Sequence, residues 1–231
     1  MNFRQIQNYV HATMQQEQVT RREQDLAKRT SQVGFYDETG LDKLVVIGTS
    51  TGGIDAVLKI VPFIPQSIQA AIVIIQHMPM WMTASYVERV QSKTTLPVTE
   101  VVNGQSFKNG RIYVVPGGYV LQFNHGNGKS RLIGGTGEVA GVLNINGSME
   151  ALVQRFGGKR IIGALLTGMG KDGAEGLLNI RRNGGFTIAE DQSTAVVFGM
   201  PREAIVLGAA LSVLPCHRIA ESIVREINTK S

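Results

Sequence analysis

Residues 44–53 read LVVIGTSTGG, a short run of aliphatic residues followed directly by a glycine-rich turn. The apolar run is typical of a buried strand, and residues 54–61 (IDAVLKIV) have the spacing of an amphipathic helix. A strand that passes through a turn into a helix is the repeating unit of a parallel α/β sheet. This stretch therefore indicates the fold class, and it places Ser50 in the first strand-to-helix turn.

The same alternation continues along the chain and predicts a doubly wound α/β fold, with a mostly parallel sheet and helices on both faces. Residues 110–135, which contain RIYVVPGG, YVLQF and RLIGG, look instead like antiparallel hairpins inserted into that architecture. The other predicted strands are 70–76, 98–102, 161–167 and 185–189, and the predicted helices are 54–61, 83–91, 149–156, 174–182, 201–208 and 218–227.

The first forty residues differ from the rest. Residues 1–40 are polar and helix-prone, with a thin apolar stripe on one helical face, whereas residues 41–231 carry the strand–helix alternation of a single domain. We interpret residues 1–40 as an N-terminal arm. Two interpretations of the arm stay open, a partly frayed helix and a docking element for a partner protein or a second subunit.

Composition excludes several classes of protein. With 231 residues, of which 43% are hydrophobic, the chain is neither disordered nor a coiled coil. The formal charge of +5 is not gathered into aromatic-interleaved basic stripes, so we expect no nucleic-acid partner. The single cysteine, Cys216, cannot form an internal disulfide, and no spacing predicts a metal site. No signal or membrane-spanning stretch is present, so we expect a cytoplasmic protein without membrane insertion.

The first turn has three possible uses. Gly48 to Gly52 match the G-x-S-x-G pattern of a nucleophile elbow, in which a strand, turn and helix expose a serine hydroxyl. A phosphate cradle fits less well, because Ser50 occupies the middle glycine position of G-x-G-x-x-G and the P-loop lysine is absent. A tight turn without chemistry is the third possibility.

Two further strand ends carry residues that could complete a catalytic set. His77 follows the strand 70–76, close enough to reach Ser50 if the two strands are neighbours. Asp172 lies in the glycine-rich loop GMGKDGAEG (168–176), where it could equally cap the following helix. Glu190 and Asp191 are rival acids, and Lys171 could neutralise either carboxylate. Together these residues could supply the nucleophile, base and acid of a Ser-His-Asp triad. Their order along the chain is Ser, His, Asp, whereas α/β-hydrolases have the order Ser, acid, His.

Four runs, VVIGTSTGG, IVIIQHMP, LLTGMGKDGAEG and IAEDQSTAVVFGMPREAI, together resemble the catalytic domain of the CheB family of chemotaxis protein-glutamate methylesterases. The resemblance implies that residues 41–231 form a methylesterase catalytic domain with no metal and no cofactor. The residues that it assigns are Ser50 as nucleophile, His77 as general base, Asp172 as triad acid, the Met169 N–H as an oxyanion donor, and Thr51, Gly52 and Gly53 as the supporting turn.

The resemblance also implies a reaction and partners. The reaction is hydrolysis of glutamate methyl esters on the cytoplasmic helices of methylated chemoreceptors, as part of chemotaxis-type adaptation, with deamidation of glutamine as a second activity. The alternative is a catalytically weak, CheB-like adaptor in a chemosensory array, docked to other chemosensory proteins through the arm.

Three departures from the family pattern stand out. Residues 1–40 are too short for the phosphorylatable receiver domain of most members, so we expect a stand-alone catalytic domain. Val120 stands where a histidine is frequent, and residues 144–147 (NING) replace a His-Arg-Pro run, so we expect a different substrate preference. Thr49 replaces an alanine before the nucleophile, a change that a strand end should tolerate.

Overall fold

The structure is a computed structural model that describes residues 40–134 and 145–229. The predicted arm, except Gly40, therefore lies outside the described residues. The strands are β1 (Lys43–Thr49), β2 (Ala70–Gln76), β3 (Val98–Glu100), β4 (Arg111–Val115), β5 (Tyr119–Phe123), β6 (Ser130–Gly134), β7 (Ile161–Leu165), β8 (Phe186–Glu190) and β9 (Ser212–Leu214). The helices are α1 (Gly53–Ile60), α2 (Thr83–Gln91), α3 (Ile145–Phe156), α4 (Ala174–Arg182), α5 (Met200–Val206) and α6 (Cys216–Asn228).

Seven strands form one parallel sheet in the order β3-β4-β2-β1-β7-β8-β9. Helices α1, α2 and α6 pack on one face of the sheet, and α3, α4 and α5 pack on the other. Because both faces are covered, successive side chains of a central strand alternate between two apolar cores: Val45 and Ile47 lie in one core, and Leu44 and Val46 in the other. The predicted doubly wound sheet is confirmed.

The prediction for residues 110–135 is wrong in one part. β4 is not half of a hairpin but a parallel strand between β2 and β3, and all four of its residues after Arg111 are buried. Such an unbroken apolar run fits a strand covered on both faces. Only β5 and β6 form the antiparallel pair. The edge strand β9 was not predicted, because its three residues form no buried apolar run.

The order of the strands places a crevice above the middle of the sheet. The helix after β1 packs on one face, whereas the helix after β7, the neighbouring strand, packs on the other. The two loops therefore diverge at the carboxyl ends of these strands, which is where open α/β sheets bind ligands. None of the described helices is long and apolar enough to cross a membrane.

Candidate active site

Ser50 directly follows β1 and is held there by main-chain hydrogen bonds. Its N–H donates to Thr167 O at 3.0 Å, and its carbonyl accepts from the Gly53 N–H at 2.8 Å. Gly52 has φ +80°, a conformation that favours glycine, and a Cβ there would lie 2.6 Å from Val196 Cβ. The turn thus requires a glycine at position 52 and leaves the Ser50 side chain partly exposed.

The chain after β7 passes directly against this turn. A Cβ on Gly168 would lie 2.8 Å from Ser50 Cβ, so only a glycine allows this approach. The next residue, Met169, has a side chain that is 74% exposed. In the part of the chain that the structure describes, neither the Met169 N–H nor the Thr51 N–H donates a hydrogen bond. Two unused donors therefore flank Ser50.

His77 and Asp172 come together although 95 residues separate them. His77 Nε2 lies 2.7 Å from Asp172 Oδ2, a short distance for a hydrogen bond to a carboxylate. Because Nε2 must carry the hydrogen that the carboxylate accepts, Nδ1 is the basic nitrogen of the neutral ring. The His77 side chain is 12% exposed and that of Asp172 is 3% exposed. The arrangement fixes the tautomer of His77.

Ser50 and His77 line one cleft of about 380 Å³. They follow adjacent strands, which is the condition under which we expected His77 to reach Ser50: Thr49 pairs with Gln76, and the His77 N–H donates to Thr49 O at 3.0 Å. Across the described residues, no hydrogen bond joins Ser50 Oγ to the His77 ring. Catalytic hydrogen bonds often tighten only when substrate binds, so proximity in the cleft is the relevant observation.

The Asp172 carboxylate accepts three further hydrogen bonds, all from main-chain N–H groups. Ile145 donates to Oδ2 at 3.0 Å, while Asn146 and Gly173 donate to Oδ1 at 3.1 and 3.0 Å. Two of these donors open helix α3, where the helix dipole favours an anion. Burial of Asp172 raises the pKa of its carboxyl, but the hydrogen bonds from His77, Ile145 and Asn146 outweigh burial, and the net pKa is lowered.

Asn146 makes the reciprocal contact. Its Oδ1 accepts hydrogen bonds from the N–H groups of Gly173, the N-cap of α4, and of Gly176 in its first turn, at 2.9 and 2.8 Å. Asp172 thus caps α3 while Asn146 caps α4. The sequence left open that Asp172 caps the helix that follows it, but Gly173 is the N-cap of α4, and Asp172 accepts only the Gly173 N–H there. The sequence contains little signal for Asn146, because the predicted helix starts at residue 149, whereas α3 begins at Ile145.

The rival acids face elsewhere. Glu190 is 1% exposed and accepts hydrogen bonds from the Thr167 N–H at 2.8 Å and the Thr194 hydroxyl at 2.9 Å. Asp191 is partly buried and accepts a hydrogen bond from the Ser193 N–H. Lys171 forms no ion pair within residues 40–134 and 145–229. Of the three predicted acids, Asp172 is the one brought to His77.

Comparisons with known proteins identify the family of this chain. The family model described as CheB methylesterase matches residues 45–223. The chain belongs to the CheB methylesterase family. It is 40% identical to a protein-glutamate methylesterase/protein-glutamine glutaminase from Archaeoglobus fulgidus, over 82% of this chain and 54% of the relative. A protein of that name, numbered 2, from Pseudomonas aeruginosa is 38% identical over 80% of this chain and 53% of the relative.

The fold matches a solved member of the family. The crystal structure of the Thermotoga maritima CheB methylesterase catalytic domain aligns with a TM-score of 0.72 and 37% sequence identity, and the match covers 79% of this chain and 97% of that chain. The chain spans about half the length of the curated relatives that it matches. Among the described residues, no group of three or more His, Cys, Asp or Glu side chains could hold a metal ion.

Proposed function

We propose that this chain hydrolyses the methyl esters of glutamate side chains on the cytoplasmic helices of chemoreceptors, and that it deamidates glutamine at equivalent positions. The observation that carries the proposal is the pairing of His77 with Asp172 in the cleft that Ser50 lines. A partly exposed serine, a histidine of fixed tautomer and a buried carboxylate are the parts that acyl transfer through a serine needs. The relatives named above supply the substrate class.

Ser50 Oγ attacks the ester carbonyl while His77 Nδ1 takes the hydroxyl proton. The Asp172 carboxylate holds the ring by its Nε2–H and stabilises the imidazolium that forms. Its lowered pKa keeps Asp172 ionised at neutral pH, so it accepts a hydrogen bond and does not take the proton. The positive charge that His77 gains on taking the proton is thus balanced by a carboxylate that is already in place.

The tetrahedral intermediate carries an oxyanion, which the unused N–H groups beside Ser50 can bind. We assign Met169 N–H and Thr51 N–H to this role, because both are main-chain donors at the nucleophile turn without another acceptor in the described structure. The N-terminus of α1, which starts at Gly53, adds a favourable dipole. Gly52 and Gly53 support this turn.

Collapse of the intermediate expels methanol, which receives the proton from His77 Nδ1, and leaves a glutamyl ester on Ser50. A water molecule then attacks this acyl-enzyme, His77 takes the proton of the water, and the second collapse returns that proton to Ser50 Oγ. The product is a glutamate carboxylate. A glutamine amide follows the same path with ammonia as leaving group, since both substrates pass through similar intermediates.

Exposed apolar side chains lie close in the chain to the proposed catalytic residues. Met80 and Trp81 come shortly after His77 and are 54% and 79% exposed, and Met169, next to Gly168, is 74% exposed. Exposed apolar side chains near a site are typical of interaction surfaces. They support a receptor helix as the partner. We propose a cytoplasmic location for the same reason, because the substrate helices lie there.

The deciding experiment compares the protein with its Ser50→Ala variant on receptor that carries labelled methyl esters. The wild type should release labelled methanol, and Ser50→Ala should lower kcat by about 10⁴-fold or more, since the covalent step is lost. Cys216→Ser serves as a control for a buried nucleophilic side chain outside the cleft. Receptor binding without any release of methanol would favour the adaptor alternative and overturn the proposal.

A further inference from the structure

Gln76 is the last residue of β2 and comes immediately before His77. Its side chain is 2% exposed and lies on the wall of the Ser50 cleft. An amide neither titrates nor attacks a carbonyl, so the residue type alone indicates no chemistry for it. Its contacts do.

One nitrogen of Gln76 joins the two residues that the reaction depends on. Nε2 donates to the main-chain oxygen of Ser50 at 2.9 Å and to that of His77 at 3.0 Å. A primary amide has two N–H donors, so both are used. The acceptors belong to the proposed nucleophile and to the proposed base.

Main-chain pairing alone does not connect these two residues. The β1–β2 ladder ends at the pair Thr49 and Gln76, and the His77 N–H donates back to Thr49 O. In the described structure no main-chain hydrogen bond passes directly between Ser50 and His77. The Gln76 amide therefore extends the connection between the two chains by one residue, to the point where the ladder stops and the site begins.

The orientation of the amide has a cost. Gln76 Oε1 is buried and has no hydrogen-bond partner among the described residues, and a Cβ on Gly53 would lie 2.7 Å from it. Exchanging the oxygen and nitrogen would turn Oε1 towards two carbonyl oxygens, which would be worse. A buried acceptor without a partner is uncommon in proteins and calls for an explanation. Here, the amide can donate to both Ser50 and His77 only in the orientation that leaves Oε1 without a partner.

We propose that Gln76 is a positioning residue. Its two N–H groups hold the Ser50 turn and His77 at the separation from which Nδ1 takes the serine proton. Gln76 touches main-chain oxygens and no reacting atom, so it acts through its two neighbours. The inference rests on the proposed function and concerns the geometry of the same site.

Two substitutions test this role. Gln76→Met keeps the length of the side chain and removes both donors, and Gln76→Glu keeps the shape but turns an oxygen towards the two carbonyls. With methyl-labelled receptor as substrate, both variants should lower kcat by about 10²-fold, the size of effect that a misplacement of about 1 Å can have. KM should stay within about threefold, because the interaction acts on the chemical step.

The chain contains a control with a similar hydrogen-bond pattern at an exposed position. Gln91 Nε2, at the end of α2, also donates to two main-chain oxygens, those of Thr94 and Leu96, at 3.2 and 3.1 Å, and its Oε1 accepts from the Val98 N–H. Gln91→Met therefore removes at least as many hydrogen bonds outside the cleft. It should lower the melting temperature and leave kcat within about twofold of wild type.

The outcomes separate the inference from the proposed function. If the wild type shows no Ser50-dependent release of methanol, the proposed function fails. If it is active and Gln76→Met keeps the kcat of Gln91→Met, or loses activity only through KM, the inference alone is overturned. Should Gln76→Met not fold, Gln76→Asn carries the same prediction, because its amide is one methylene too short. Labelling of Ser50 by a fluorophosphonate, which needs no receptor, should be slowed in parallel.

Discussion

The two sides of the candidate site are held in different ways. Ser50 and His77 follow adjacent parallel strands, so the register of β1, β2 and β7 places their main chains. Asp172 lies in the loop after β7, and its carboxylate is fixed by N–H groups of Ile145 and Asn146, which precede it by 27 and 26 residues. Ser50 and His77 form the sheet side, which depends on the strands. Asp172 and Asn146 form the helix side, which depends on the first turn of α3.

This difference separates main-chain placement from side-chain placement. A parallel ladder positions the residues of its strands whatever their side chains are, and the Gln76 amide extends that placement by one residue to Ser50 and His77. The carboxylate of Asp172 instead takes its orientation from contacts made by its own oxygens, and Asn146 returns similar contacts to the Asp172 loop. Substitutions on the helix side should therefore change activity and stability together, whereas Ser50→Ala should change activity with little effect on stability.

Asp172→Asn should have the largest effect on the helix side. Each Asp172 oxygen accepts two hydrogen bonds, and an amide nitrogen in place of one oxygen would face two N–H donors. To relieve this, the His77 ring would have to present an unprotonated Nε2, which puts the hydrogen on Nδ1, towards Ser50. We expect kcat to fall by about 10³- to 10⁴-fold, as for a triad histidine in the wrong tautomer.

The control for this variant is Asp191→Asn, which changes a partly buried carboxylate directly after β8 that contacts Ser193 and not His77. Methanol release from labelled receptor should be unaffected by it. If both variants lose the same amount of kcat, the loss does not depend on the contact between Asp172 and His77. The distinction drawn between the two sides of the site would then be wrong.

The sheet side was accessible from the sequence. Two apolar runs of strand length, each followed by a polar residue with chemistry, are enough to place Ser50 and His77 at the carboxyl edge of a parallel sheet, but only the structure shows that their strands are neighbours. β4 was mispredicted because its neighbours in the chain are rich in glycine, although its own residues form a buried run. β9 was missed because an edge strand of three residues has no such run.

The helix side was only partly accessible. The glycine-rich loop marks Asp172 as a candidate, and the family resemblance selects it, but the local pattern fits a cap on the following helix equally well. The actual partner, α3, lies far away in the chain, and only packing brings its first turn to the loop. The role of Gln76 could not be predicted for a similar reason. It depends on which carbonyl oxygens the amide contacts, and the spacing of residues in the sequence does not show this.

Asn146→Ala tests the helix side without touching the reacting groups. It removes the acceptor for the Gly173 and Gly176 N–H groups and leaves the Asn146 main chain in place. We expect the free energy of unfolding to fall by about 0.5–2 kcal/mol, as for a lost helix cap. Because the Asp172 loop loosens, kcat should fall by about tenfold, which corresponds to about 1.4 kcal/mol.

Asn183→Ala is the matched control for Asn146→Ala. The Asn183 amide donates to the Asn179 carbonyl at the exposed end of α4, opposite to the end that Asn146 caps. Urea unfolding followed by circular dichroism, together with methanol release, should show a smaller loss of stability and no loss of kcat. If kcat is unchanged in Asn146→Ala as well, the Asp172 loop is held without this cap.

The smallest expected effect is on the pH dependence of stability. The pKa of Asp172 is lowered in the folded protein, so its ionised form stabilises the fold above the ordinary value of 3.8, and this stabilisation is lost as the pH falls through the folded pKa. Asp172→Asn has no such group. The difference in unfolding free energy between the two proteins should be constant at higher pH and should shrink below about pH 4.

Chemical unfolding of wild type and Asp172→Asn across that range checks the sign. Asp191 also has a lowered pKa, because the hydroxyl and N–H of Ser193 donate to it, but it is present in both proteins and cancels in the difference. A difference that grows as the pH falls would mean that the folded protein raises the pKa of Asp172, so that burial outweighs the donors from His77 and α3. In that case helix α3 would not hold the carboxylate as an anion, and the two sides of the site would differ less than their contacts indicate.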